Sequence, residues 1–122
     1  LLIECKRLPT PAATKRDPRE YLFSGSSSTG GVQRFKSGAH ASNHAFAAMI
    51  GYVQDQDIPH WQQELGKWID ELSTSAAPLW SANDRLELEH YDKGGRHAIL
   101  NSKHTRDNGL GDIAMSHIWI EM

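Results

Sequence analysis

The chain has 122 residues, enough for one small domain, with 39% hydrophobic and 23% charged residues and a net charge of −2. That balance is ordinary for a globular domain and excludes a uniformly basic polyanion binder. The single cysteine excludes an internal disulfide and argues against a cysteine-built zinc site, which fits a reducing, cytoplasmic setting; no apolar run approaches the ~20 residues of a membrane span.

Residues 1–8 (LLIECKRL) read as a strand closed by Leu8-Pro9. Strand alternation turns Leu1, Ile3 and Cys5 toward the core and sets Glu4 and Lys6 together on the opposite face, about 6–7 Å apart. Residues 9–20 (PTPAATKRDPRE) hold three prolines and five charges, which predicts a loop or a short helical turn. The Ser/Gly-rich stretch 24–31 predicts a flexible loop or a lid over a ligand. From Ser42, an N-cap candidate, to Gln54 the spacing of Ala45, Ala48, Met49, Tyr52 and Val53 predicts a helix. A second helix starts at Asp57, with Pro59 in its first turn, and ends near Ser75. Its apolar stripe is Ile58, Trp61, Leu65, Trp68, Ile69 and Leu72.

The last third alternates like strands. Residues 86–91 form one strand and 96–102 its hairpin return, with Gly94-Gly95 supplying positive φ in the turn. Residues 105–112 form a polar loop and 113–122 a final strand. No internal repeat is present.

Charge is unevenly spread. Up to Lys36 the bases Lys6, Arg7, Lys15, Arg16, Arg19, Arg34 and Lys36 face the acids Glu4, Asp17 and Glu20, whereas acids dominate from Asp55 to Glu89. A basic first third suits a polyanionic partner. The Glu4-x-Lys6 pair, taken alone, is a salt bridge at a strand end. An acid and an amine sequestered together must pair or hold something charged.

Ile3-Glu4-Cys5-Lys6-Arg7-Leu8 resembles the (D/E)-x-K motif of the PD-(D/E)xK nuclease superfamily. Arg19-Glu20-Tyr21, Gly30-Gly31-Val32-Gln33-Arg34-Phe35, Gly38 and Ala48–Val53 resemble a bacterial, defence-associated branch, as do 102–106 and 116–120. The resemblance implies an α/β (α+β) restriction-endonuclease-like fold, a mixed sheet flanked by helices. It implies DNA phosphodiester cleavage with Mg²⁺ or Mn²⁺ in anti-phage defence. Glu4 becomes a metal ligand, Cys5 contributes its carbonyl to the metal, and Lys6 orients or activates the attacking water. Mg²⁺ prefers oxygen ligands and acidifies bound water, and a nearby lysine steadies charge on the phosphate. Arg7, Lys15, Arg16, Arg19 and Arg34 become DNA-phosphate contacts, which set position and not sequence.

The superfamily also needs an acid on the preceding strand, and only Leu1, Leu2 and Ile3 precede Glu4. Residues 1–122 are therefore expected to be the C-terminal portion of a nuclease domain, inactive alone, with the missing acid supplied upstream or by another subunit. The alternative is a non-catalytic module that keeps the fold to bind DNA or a partner. A further rival is an interaction domain whose Trp61, Trp68 and Leu72 face a partner helix.

Other constellations have bland readings. His40 and His44 stand four apart but lack the following glutamate and a third ligand, which favours surface histidines. Arg34 reaches either a phosphate or an acid such as Glu20. His104 and Arg106 read as hydrogen-bonded structural residues. Cys5, facing inward, reads as an inert thiol rather than a nucleophile.

Overall fold

Strand β1 (Leu2–Leu8) pairs in parallel with β2 (Phe46–Val53), and β2 pairs in parallel with β5 (Ile113–Glu121). Two antiparallel strands complete the sheet: β4 (His97–His104) beside β5, and β3 (Glu87–Asp92) beside β4. The computed structural model describes residues 2–13, 16–25, 28–75, 80–106 and 109–122. Among them the chain forms a five-stranded mixed sheet of order β1-β2-β5-β4-β3 with few helices, an α+β fold. Helix α1 (Gly31–Lys36) lies between β1 and β2, and α2 (Ile58–Thr74) between β2 and β3.

The segment expected to be a helix, 42–54, is instead strand β2. Its eight residues FAAMIGYV are apolar on both sides of the pleat, as in a strand inside a parallel sheet, and such a run is indistinguishable from a helix by periodicity. Gly51 decides the outcome locally. A Cβ there would lie 2.7 Å from Trp119 Cδ1, so only glycine lets that indole cross β2. Helix α1 was not foreseen either. It begins at Gly31, where a Cβ would meet the Met49 methyl at 2.4 Å and the Tyr21 carbonyl at 2.5 Å. Gly30 and Gly31 are buried contact points for the 19–24 turn and not part of a lid; Ser26 and Ser27 lie outside the described residues. The Gln33 carboxamide accepts from Gly30 N and Ser24 N, each at 3.0 Å, tying the turn to the helix start.

Helix α2 behaves as its sequence predicts. The Asp57 carboxylate accepts from His60 N at 2.9 Å, and Pro59 sits in the first turn. Ile58, Trp61, Leu65, Ile69 and Leu72 are buried in the core, each adding roughly 1.5–3 kcal/mol. Trp61 and Leu72 thus face inward and Trp68 packs against the core, which removes the partner-helix reading of this stripe. Among the described residues no helix is long and apolar enough to cross a membrane. The β3–β4 hairpin is also as expected, except that positive φ falls on Arg96 and not on Gly94-Gly95.

The sheet has one covered face. Leu8, Met49, Val53, Met115, Trp119, Ala98 and Leu100 point into the core beneath the helices. The other face carries Ile3, Cys5, Ile50, Ile99, Ile118 and Ile120, with Ile3 55% and Ile118 40% exposed. Ile3 and Cys5, expected in the core, lie on this open side. The half-buried Glu4 and Lys6 belong to the covered face, at its margin, because β1 is an edge strand.

Candidate functional site

Glu4 and Lys6 are two residues apart on β1 and share its covered face. Lys6 Nζ stands 3.8 Å from Glu4 Oε1 and 3.8 Å from Glu20 Oε2, bridging two carboxylates. Glu20 comes from the 17–22 turn, whose backbone is pinned to α1: Gly31 N donates to Glu20 O at 2.8 Å and Val32 N to Tyr21 O at 3.1 Å. Arg16 donates to both Glu20 oxygens. The Arg16 hydrogen bond, followed by the charges of Lys6 and Arg16, outweighs partial burial and holds the Glu20 carboxyl below its usual range.

The second wall is built by α1 and the turn that follows it. Arg34 Nη1 lies 3.7 Å from Glu4 Oε1, and His40 Nε2 lies 3.3 Å from Glu4 Oε2. His40 is placed by its own N–H, which donates to Arg34 O at 3.0 Å, and by its ring against Phe35. Three basic groups therefore converge on one carboxylate. All are reachable from solvent: the side chains of Lys6, Glu4, His40 and Arg34 are 15%, 19%, 27% and 33% exposed. On the other side of Lys6 a cleft of about 270 Å³ is lined by Cys5, Arg7, Pro11, Arg16, Glu20 and Tyr52.

Of the expected site residues, Glu4, Lys6, Arg16 and Arg34 come together, and Arg7 borders the same cleft. Arg34 faces Glu4, not Glu20. Arg19 turns away, held by both oxygens of Asp17 and stacked over Phe23. Lys15 lies outside the described residues. The Cys5 thiol is exposed and does not belong to the core. Glu20 and His40 were missed as site members. No local pattern marks them, because both reach β1 from more than ten residues away in sequence.

Mg²⁺ takes six oxygens, usually one or two of them carboxylate. Among the described residues no group of three or more His, Cys, Asp or Glu can hold a metal ion. Glu4 is a single carboxylate already facing three bases, an incomplete donor set. These residues do not by themselves fit a metal centre.

A second polar cluster is fully enclosed. Lys36 Nζ donates to Asp84 Oδ1 at 2.7 Å, and His104 Nδ1 meets the same oxygen at 2.7 Å. His104 Nε2 reaches Ser102 Oγ, Ser102 Oγ reaches His117 Nε2, and His117 Nδ1 reaches Tyr21 Oη, each at 2.7 Å. Trp119 Nε1–H donates to Tyr21 Oη at 2.9 Å. With both imidazoles neutral, the carboxylate end fixes the direction of every bond, and the indole at the other end is compatible with it. The indole only donates and the carboxylate only accepts. Tyr21 must therefore donate to His117 Nδ1, His117 Nε2–H to Ser102, Ser102 to His104 Nε2, and His104 Nδ1–H to Asp84. Burial pushes His117 down to about 3 and also lowers His104, against the pull of Asp84. Burial works against the Asp84 charge, but the bonds from His104, Lys36 and Ser81 N still keep its carboxyl below the ordinary range.

Asp84, His104 and Ser102 stand in the order of a serine-hydrolase triad. Here Ser102 Oγ is saturated by two histidines, and both rings are 0% exposed. The cluster joins β4, β5, α1 and the 19–24 turn; it holds structure, as read for His104. Arg106 is structural as well, donating to Ala41 O at 2.9 Å and Gly111 O at 2.6 Å.

No family model matches the chain, and no curated protein or solved structure is matched by it. What the structure defines is a class: an α+β protein with a five-stranded mixed sheet and a charged, half-open site at its β1 edge.

Proposed function

We propose that the β1 edge is part of a nuclease site of the PD-(D/E)xK type, acting on DNA phosphodiester bonds in bacterial defence. The observation that carries this reading is the Glu4–Lys6 pair. The two side chains share one face of an edge strand, 3.8 Å apart and half open, with Arg34 against Glu4 and Arg16 joined to Lys6 through Glu20. A scissile phosphate held here would meet Lys6, whose ammonium steadies charge that develops on the phosphate oxygens. Glu20 keeps that ammonium in place. Arg7, Arg16 and Arg34 would neutralise flanking phosphates, an electrostatic contribution that carries no sequence information.

The reading includes Mg²⁺ or Mn²⁺, with Glu4 as one ligand and Cys5 acting through its backbone carbonyl. Because the donor set is incomplete, a second acid is needed from another segment or subunit. Residues 1–122 alone are expected not to cleave DNA. The test is nicking of supercoiled plasmid by the product of the full open reading frame with Mg²⁺, comparing wild type with Glu4→Ala and Lys6→Ala. The reading fails if both variants cut at the wild-type rate.

The incomplete donor set also favours a second reading, a non-catalytic module that binds DNA or a partner. It predicts salt-dependent DNA binding by the wild type and no nicking under any metal.

A further inference from the structure

Lys6 reaches Glu4 from its own strand, Arg34 from α1 and His40 from the turn that follows α1, yet their contacts with it are loose. The lysine and arginine distances, 3.8 and 3.7 Å, exceed a hydrogen bond. The guanidinium offers five N–H donors in a planar fork suited to tetrahedral and planar oxyanions. By contrast, a carboxylate selected as a structural partner sits at 2.7 Å, as Asp84 does with Lys36. Lys6 has a second tether in Glu20; the ion pair of Arg34 is with Glu4.

We infer that Lys6, Arg34 and His40 form an oxyanion cradle whose ligand is a phosphate group, and that Glu4 is the counter-ion this ligand displaces. Neutralising Glu4 therefore frees Arg34 and His40 to hold phosphate, while Glu20 keeps Lys6 positioned. Anything that draws the Glu4 carboxylate away strengthens phosphate binding, and phosphate in the cradle in turn makes that carboxylate easier to draw away. This rests on the nuclease reading only for the source of the phosphate, a nucleic-acid backbone; the cradle itself stands on the geometry.

The experiment uses the 122-residue chain, inorganic phosphate and no divalent metal, at constant ionic strength, with binding followed by calorimetry. Glu4→Gln is expected to bind phosphate on the order of tenfold more tightly than wild type, the effect of removing one negative charge about 4 Å away at a partly exposed site. Adding Arg34→Gln and His40→Gln to Glu4→Gln returns the affinity to or below the wild-type value. Unchanged or weaker binding by Glu4→Gln overturns the inference, as does a gain that survives the triple substitution. If Glu4→Gln fails to fold, the His40 ring protons of wild type supply the readout. Phosphate must shift them and chloride at equal ionic strength must not; equal shifts overturn it too. A chain that binds phosphate in this way within a protein that never cleaves DNA would sink the nuclease reading and leave the cradle intact.

Discussion

The molecule holds two clusters of charged and polar side chains, and they are built on opposite principles. In the buried one, from Lys36 through Asp84, His104, Ser102 and His117 to Tyr21, each link is 2.7 Å long and, with neutral rings, the proton order is forced from the carboxylate end. In the edge cluster Lys6, Arg34 and the His40 ring surround Glu4 at 3.3 to 3.8 Å, with donors to spare. A polar network that supports a fold closes on itself, because a buried group left unpaired carries its full desolvation penalty. A site that must accept a ligand cannot be closed in this way. The same residue types, Lys, His and an acid, thus serve stability in one place and availability in the other.

The contrast is broken most forcefully at Asp84. Asp84→Ala removes the carboxylate that Lys36 and His104 share in the interior and is expected to destabilise the fold by about 3–5 kcal/mol in urea unfolding. A loss under 1 kcal/mol would show that the enclosed cluster is not the frame described here.

Acid attacks the same network next. His117 and His104 are held neutral, with pKa values depressed below the ordinary histidine value near 6.5. The unfolded chain therefore binds more protons below that value, and stability falls as the pH drops. The His117 contribution is intact above about pH 6.5 and is lost progressively as pH falls toward about 3, a loss on the order of a few kcal/mol. Urea midpoints at pH 7.5, 6 and 5 check this; a flat series would contradict the buried neutral rings.

Gly51→Ala is a smaller perturbation between the two regions. The new methyl meets Trp119, whose indole ends the hydrogen-bonded chain, and about 1–3 kcal/mol of stability is expected to go. The weakest expected effect on stability comes from the edge. Glu4→Gln should change unfolding by no more than about 1 kcal/mol, since its partners are solvent-screened. A loss comparable to that of Asp84→Ala would erase the distinction between the clusters.

Much of the fold was legible in the sequence where a local rule sufficed. Asp57, Pro59 and the Ile58–Leu72 stripe define α2 by capping and periodicity, and the alternation after Leu86 defines the β3–β4 hairpin. Strand β2 was not legible, because a strand buried in a parallel sheet loses its alternation; its small and apolar residues satisfy helical spacing equally well. Cys5 was turned the wrong way for a related reason. Period two gives two faces but does not say which one is covered, and in β1 it is the face of Glu4, Lys6 and Leu8. Half of the edge site was legible as Glu4-x-Lys6. Glu20 and His40 were not, because the turns that deliver them, one before α1 and one after it, are fixed by backbone contacts and by the space left at Gly31. The enclosed cluster joins Tyr21 to His117 across 96 positions, a distance no local pattern spans.

The central claim is that Glu4 and Lys6 are the working pair of a DNA-cleaving site. Its most direct test is the Mg²⁺-dependent nicking rate of supercoiled plasmid by the product of the full open reading frame, wild type against Glu4→Ala and Lys6→Ala. The expected result is nicking by wild type and a loss on the order of a hundredfold or more in each variant, with folding unchanged. Wild-type rates in both variants, or no nicking by the wild type with either Mg²⁺ or Mn²⁺, would contradict it.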